Sequence, residues 1–196
     1  MISNIKDYKN QFFESKSIIS KNGLWNKFIN VLNSNHFVLP SNLKFEEKAL
    51  LFKNSVDLVE IEPHSYCNRI CPFCPNSFLD RRKENNKLDY VIFDKILSDL
   101  ELISYDQVIR FALYSEPLAS SRIVDLITCV RRVLPECIID TITNGDYLNK
   151  SMLNKLSNAG LDKLYISIYP KNYYWDKGEA LKRVNKIASQ IGIEPI

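Results

Sequence analysis

The chain has 196 residues, about one domain by length, with 45% apolar and 25% charged residues, as in ordinary globular proteins. Its 26 basic and 23 acidic residues leave a net charge of +3, too slight to argue for a nucleic-acid partner. No apolar run is long enough to span a bilayer, and "MISNIKDYKNQFFESK" lacks the apolar core of a signal peptide, so the expected partners include no membrane and the expected compartment is cytoplasmic.

Residues 1 to 54 are rich in Asn, Lys and Ser. "GLWNKFINVL" sets Leu24, Phe28, Val31 and Leu32 at helical spacing, and "FEEKALLFK" reads as a second short helix. This stretch is expected to be an N-terminal helical extension without chemistry of its own. From residue 55 the pattern becomes regular. "VDLVEIE" reads as a strand. "LDYVIFDKILSDLELI" reads as a helix capped by Asp89, with Ile92, Ile96 and Leu100 on one face. "QVIRFALY" is a second strand. "SSRIVDLITCVRRVL" is a helix with Ile123, Ile127, Val130 and Leu134 inward and Arg131 and Arg132 outward. "CIIDTIT" is a third strand, and "NKSMLNKLSNAG" a helix ended by Gly160. "LDKLYISIY" is a fourth strand carrying Ser167. "GEALKRVNKIASQIG" is a helix with Leu181, Val184 and Ala188 inward and Gly192 at its end.

Four strand–helix units predict an α/β fold: a parallel sheet with outer helices, curling into a partial (β/α) barrel. Four units do not close a barrel. The core of residues 55–196 is therefore expected to be incomplete at its C-terminus, with the extension or another chain over the open edge.

The chemistry sits at the strand ends. After the first strand come Cys67, Cys71 and Cys74, spaced C-x3-C-x2-C. With an odd total of five cysteines and three clustered, metal chemistry is expected rather than a disulfide framework. Cys129 and Cys137 read as small core residues. After the second strand comes "YSEP", Tyr114 to Pro117; after the third, "TNGD", Thr143 to Asp146; after the fourth, Tyr169-Pro170. In a β/α barrel these ends share one ligand-binding rim. Thiolates suit zinc or iron–sulfur clusters. A [4Fe–4S] cluster usually takes four cysteines, so three leave one iron open to a small molecule. The alternative is a zinc module with His64 as fourth ligand. "DRRKENNK" reads as a solvated loop, and "YPKNYYWD" as aromatics that line a pocket or cover the open barrel.

C-x3-C-x2-C with Phe73 before its last cysteine, followed in order by "YSEP" and "TNG", resembles the radical S-adenosylmethionine (radical SAM) superfamily. Within it, "CNRICPFCPNS", "YSEPL" and "TNGDYL" look most like the SPASM/twitch branch that includes 2-deoxy-scyllo-inosamine dehydrogenase and peptide maturases. The resemblance implies a (β/α)6-type core in which Cys67, Cys71 and Cys74 hold a [4Fe–4S] cluster. The open iron chelates S-adenosylmethionine, which one electron cleaves to a 5′-deoxyadenosyl radical. It implies Glu116 or its backbone on the methionine amine, Ser115 giving close approach, Phe73 near the adenine, and Asn144 and Ser167 facing the cofactor. It also implies hydrogen abstraction from a sugar-like small molecule or a peptide, and an electron donor such as flavodoxin or ferredoxin. "YSEP" departs from the family's GGEP at Tyr114 and Ser115, and no cysteine follows Cys137, although the branch carries later cysteines for auxiliary clusters. An inert fragment of such an enzyme is the remaining alternative.

Overall fold

The computed structural model describes residues 42–83, 85–169 and 176–194. The helix expected at Leu24–Leu32 and the aromatics Tyr173, Tyr174 and Trp175 lie outside them. The chain divides into two compact units, Met1–Asn54 and Ser55–Ile196. Helix α1 (Phe45–Ser55) falls almost wholly in the first. Glu46 and Glu47 sit in its first turn and Lys53 in its last, the charge order that a helix dipole favours.

The second unit alternates β1 (Leu58–Ile61), α2 (Tyr90–Leu102), β2 (Val108–Phe111), α3 (Arg122–Val133), β3 (Ile138–Thr143), α4 (Lys150–Ala159), β4 (Lys163–Ile166) and α5 (Lys177–Ile191). The strands form one parallel sheet in the order β1-β2-β3-β4. This is the expected four-unit α/β architecture. Caps delimit the helices. Asp89 accepts from Val91 N–H at 2.7 Å, Asn149 from Met152 N–H at 2.9 Å and Asp176 from Glu179 N–H at 2.8 Å. Gly160 and Gly192 close α4 and α5 in the left-handed region.

Strand side chains alternate between faces. On one face Ile61, Ile109, Phe111, Ile139 and Thr141 are buried against the helices. Phe111 meets Phe93 of α2 with ring centroids 6.3 Å apart. On the other face the register aligns Glu60, Arg110, Asp140 and Lys163 into a row of alternating charge across all four strands. Arg110 donates Nε and Nη2 to Asp140 Oδ1 and Oδ2 at 2.6 and 2.7 Å, and its guanidinium lies 5.6 Å from the Tyr165 ring centroid.

Several expectations shift. The buried stripe of α2 is Phe93, Leu97 and Leu100, while Ile92 is exposed, because Phe93 is the residue that reaches the β2 side chains. In α3, Ile123, Ile127, Val130 and Leu134 are buried as read, with Leu126 beside them. Arg131 is not a free surface cation. It donates to the carbonyls of Pro135, Cys137 and Gly160 and pairs with Asp162, stitching the α3 end to the β3 and β4 starts. In α5 Ala180 and Ile187 join Ala188 inward, and Leu181 is exposed. Cys137 is buried and donates its thiol to Tyr105 O at 3.2 Å, while Cys129 packs partly against the core. Ser167 lies one residue past β4, yet its N–H still donates to Thr143 O at 2.8 Å.

Candidate functional site

Parallel strands that start together also end together, so the loops after β1, β2 and β3 and the chain leaving β4 meet at one rim. A cavity of about 370 Å³ opens there, within the ~300–1,000 Å³ range of small-molecule sites. Its lining includes the residues expected at the cluster and cofactor: Cys67, Cys71, Phe73 and Cys74 from the β1 loop, Ser115 and Glu116 from the β2 loop, Asn144 after β3, and Ser167 after β4.

The β1 loop is irregular up to Cys74, which opens a short 3-10 helix at Pro75–Ser77. Cys74 N–H donates to Cys71 O at 3.0 Å, pulling the last two cysteines into one turn. Burial pushes the Cys67 thiol above its usual range, opposed in part by the nearby Arg69 backbone amide. Phe73 is exposed at the cavity mouth, 5.2 Å from the Tyr169 ring.

The β2 loop turns sharply. Leu113, at φ +107°, holds a left-handed backbone that costs a branched residue about 1–3 kcal/mol. Beyond it Glu116 is 2% exposed. Its Oε1 accepts from Thr143 Oγ1 at 2.5 Å and Leu118 N–H at 3.1 Å, and its Oε2 accepts from Asn144 N–H at 2.8 Å. Burial pushes this carboxyl above the ordinary range, opposed by the Asn144, Thr143 and Leu118 donors. Most of its acceptor capacity is thus spent within the protein, buckling the β2 end to the β3 end, and one Oε2 lone pair is left unused by these bonds. Ser115 Oγ is buried and finds no partner among the described residues.

The β3 loop carries Gly145 at φ +77°. A Cβ there would stand 2.9 Å from Ile187 Cδ1 and 3.1 Å from Ile166 Cγ2, so "TNG" needs glycine for both conformation and space. Asp146 next to it is half-buried, and that partial burial pushes its carboxyl up. Arg69, Asn68 and Arg183 outweigh that and hold it at about 2.

His64 is buried outside the cavity, its Nδ1 accepting from Tyr66 N–H at 3.1 Å. Among the described residues no three His, Cys, Asp or Glu side chains are grouped around one metal-ion position. A tetrahedral zinc needs its thiolates roughly 3.8 Å apart, whereas a cubane holds one sulfur per iron at separate corners and spaces them wider. Three thiols on one wall of a cavity, an unpartnered Ser115 hydroxyl and room for a small molecule fit a cluster with an organic ligand better than a lone zinc.

Sequence reading missed Asn68, Arg69 and Arg183 as partners of Asp146, Thr143 as a partner of Glu116, and Glu60 in the cavity wall. The available signal was placement: Arg69 and Asp146 are opposite charges in two loops already expected at the same rim. "DRRKENNK" is solvated only in part. Arg81 donates to Glu62 at 2.7 Å and lies 5.5 Å from the Tyr114 ring centroid.

A parallel α/β half-barrel with three thiols and a small-molecule cavity at its C-terminal rim defines a cofactor-binding enzyme core. The Radical SAM superfamily model matches residues 61–169, and the chain belongs to that superfamily, whose members bind a [4Fe–4S] cluster and S-adenosylmethionine. The chain is 29% identical over 110 residues to the S-adenosyl-L-methionine-dependent 2-deoxy-scyllo-inosamine dehydrogenase of Niallia circulans, covering 56% of this chain and 44% of that protein. It is 30% identical over 123 residues to a GTP 3′,8-cyclase of Nostoc punctiforme, covering 59% and 35%. It is 31% identical over 108 residues to a cofactor-modifying protein of the tungsten-containing aldehyde ferredoxin oxidoreductase of Pyrococcus furiosus, covering 55% and 29%. The crystal structure of BtrN in complex with AdoMet and 2-DOIA superimposes with a TM-score of 0.52 at 29% identity, over 56% of this chain and 44% of that one. The chain thus spans less than half of each relative. No helix among the described residues is long and apolar enough to cross a membrane.

Proposed function

We propose that residues 55–196 are a radical SAM core in which Cys67, Cys71 and Cys74 ligate a [4Fe–4S] cluster and the adjoining cavity takes S-adenosylmethionine. One observation carries this reading: residues from four strand ends, chosen from sequence, line a single cavity. A cluster held by Cys67, Cys71 and Cys74 would supply one electron for reductive cleavage of a sulfonium in the adjoining cavity, and so the means to abstract hydrogen from an unreactive carbon.

The chain's own residues bind and orient. The free Oε2 lone pair of Glu116 suits an ammonium through a charge-assisted hydrogen bond. Ser115 Oγ, otherwise unsatisfied, suits a polar edge of the cofactor. Phe73 offers a ring face at the mouth for the adenine, and Asn144 and Ser167 supply further polar atoms to the lining. Glu60 in the wall and the Arg110–Asp140 pair in the same row favour a polar, hydroxyl- or amine-bearing substrate. The dehydrogenase relative, named for an aminocyclitol, supports a sugar-like small molecule over a peptide. An electron donor of the flavodoxin or ferredoxin type completes the reading.

The test is anaerobic incubation of the cluster-loaded chain with dithionite and S-adenosylmethionine. The expected result is 5′-deoxyadenosine well above a Cys71→Ala control. Equal amounts in the two would reject the proposal.

A further inference from the structure

The span from Cys67 to Cys71 belongs to no strand or helix, so side chains must hold it. Two of its residues, Asn68 and Arg69, reach Asp146, 78 and 77 positions away. Four N–H groups converge on that carboxylate. Oδ2 accepts from Asn68 Nδ2 at 2.8 Å and Arg69 Nε at 2.6 Å, and Oδ1 from Arg69 Nη2 at 2.7 Å and Arg183 Nη2 at 2.5 Å. These fill the roughly four lone-pair positions a carboxylate offers. The ring then closes on itself. Asn144 Nδ2 donates to Asn68 Oδ1 at 2.9 Å, Asp146 N–H donates to Asn144 Oδ1 at 2.9 Å, and Arg183 Nη2 also donates to Asn144 O at 2.9 Å. Arg69 thus sits in the middle of the Cys67–Cys71 span with its side chain held at the far end by this ring.

We infer that Asp146 is a positioning residue that holds the cysteine loop in its ligating shape before any cluster arrives. The inference rests on the cluster reading above. An exposed ion pair would contribute little. Here the side chains of Arg69, Asp146 and Arg183 are 16%, 26% and 14% exposed, and the Arg69 contact is a bidentate fork that sets orientation as well as charge. The clamp links the β1 loop, the β3 loop and α5, so it fixes where the thiols stand relative to Asn144 and the β3 end. Hydrogen bonds to cluster sulfurs tune the potential, and a loosened loop that offers its backbone amides less well shifts it negative.

The test uses the full chain as wild type, Asp146→Asn, Asp146→Glu and Arg69→Gln. In the metal-free chain, amide exchange over residues 67–74 is expected to rise about tenfold or more in Asp146→Asn, with the β3 and α3 amides unchanged. After anaerobic reconstitution, iron per chain falls, and the midpoint potential of the remaining cluster moves negative. Arg69→Gln repeats the pattern and Asp146→Glu restores part of it. Loop exchange, iron content and potential all matching wild type in Asp146→Asn and Arg69→Gln would overturn the inference. Should Asp146→Asn unfold, Arg69→Gln decides by the same readouts. A wild type that takes up no iron rejects the cofactor reading instead, and loop exchange alone then decides the clamp.

Discussion

The two faces of the sheet are built on different principles. The helix side buries Ile61, Ile109, Phe111 and Ile139, none more than 6% exposed, and its stability is apolar area removed from water. The opposite side lays Glu60, Arg110, Asp140 and Lys163 in register, with Tyr165 half-exposed beside them. One side holds the strands in place. The other keeps a charged, wettable floor leading to the thiol-bearing rim. An α/β core of this kind can therefore vary its chemistry on one face without disturbing the packing of the other.

That contrast can be broken from either side. Phe111→Ala on the helix side should cost about 3–5 kcal/mol, read from the denaturation midpoint, because the cavity it leaves is enclosed. On the charged side, Arg110→Met should cost about 3–5 kcal/mol, since it strips the bidentate partner from Asp140, whose side chain is 3% exposed. The double variant Arg110→Met with Asp140→Leu should recover most of that loss. A double variant as unstable as the single would show that the pair is not what holds this face. At the rim, Gly145→Ala should cost about 1–3 kcal/mol through its backbone conformation and the approach to Ile187.

The smallest expected effect is one of pH. Asp146 is held at about 2, below its unfolded value near 3.8, so its contribution is complete above the unfolded value and is lost as pH falls from about 4 toward 2. That contribution is about 2 kcal/mol or less. Asp146→Asn should remove this part of the acid dependence in thermal-melt profiles. An unchanged profile would mean that the carboxylate is not held down.

The sequence carried the architecture because both periodicities are local. Strand alternation and the helical stripes of α3 depend on near neighbours, as do the caps at Asp89 and Gly160. Legibility faded where two registers compete, as in α2, whose apolar residues at 92, 93, 96 and 97 allow either of two faces until Phe111 selects Phe93. The cavity-lining residues were readable because strand ends of a parallel sheet converge by topology. The bonds among them were not. Nothing local pairs Arg69 with Asp146 or Glu116 with Thr143, and only the fold brings such distant positions within reach. Glu116 shows the limit best. Its motif marked it for the cavity, while its main contacts turn out to join two loops.

The central claim is that three sulfurs at the rim hold a cubane with one corner left for S-adenosylmethionine. Iron and sulfide analysis after anaerobic reconstitution, with EPR of the reduced chain, tests it most directly. The account predicts about four irons and four sulfides per chain, together with a cluster signal that changes on adding S-adenosylmethionine. One zinc without sulfide, or a cluster signal indifferent to S-adenosylmethionine, would contradict it.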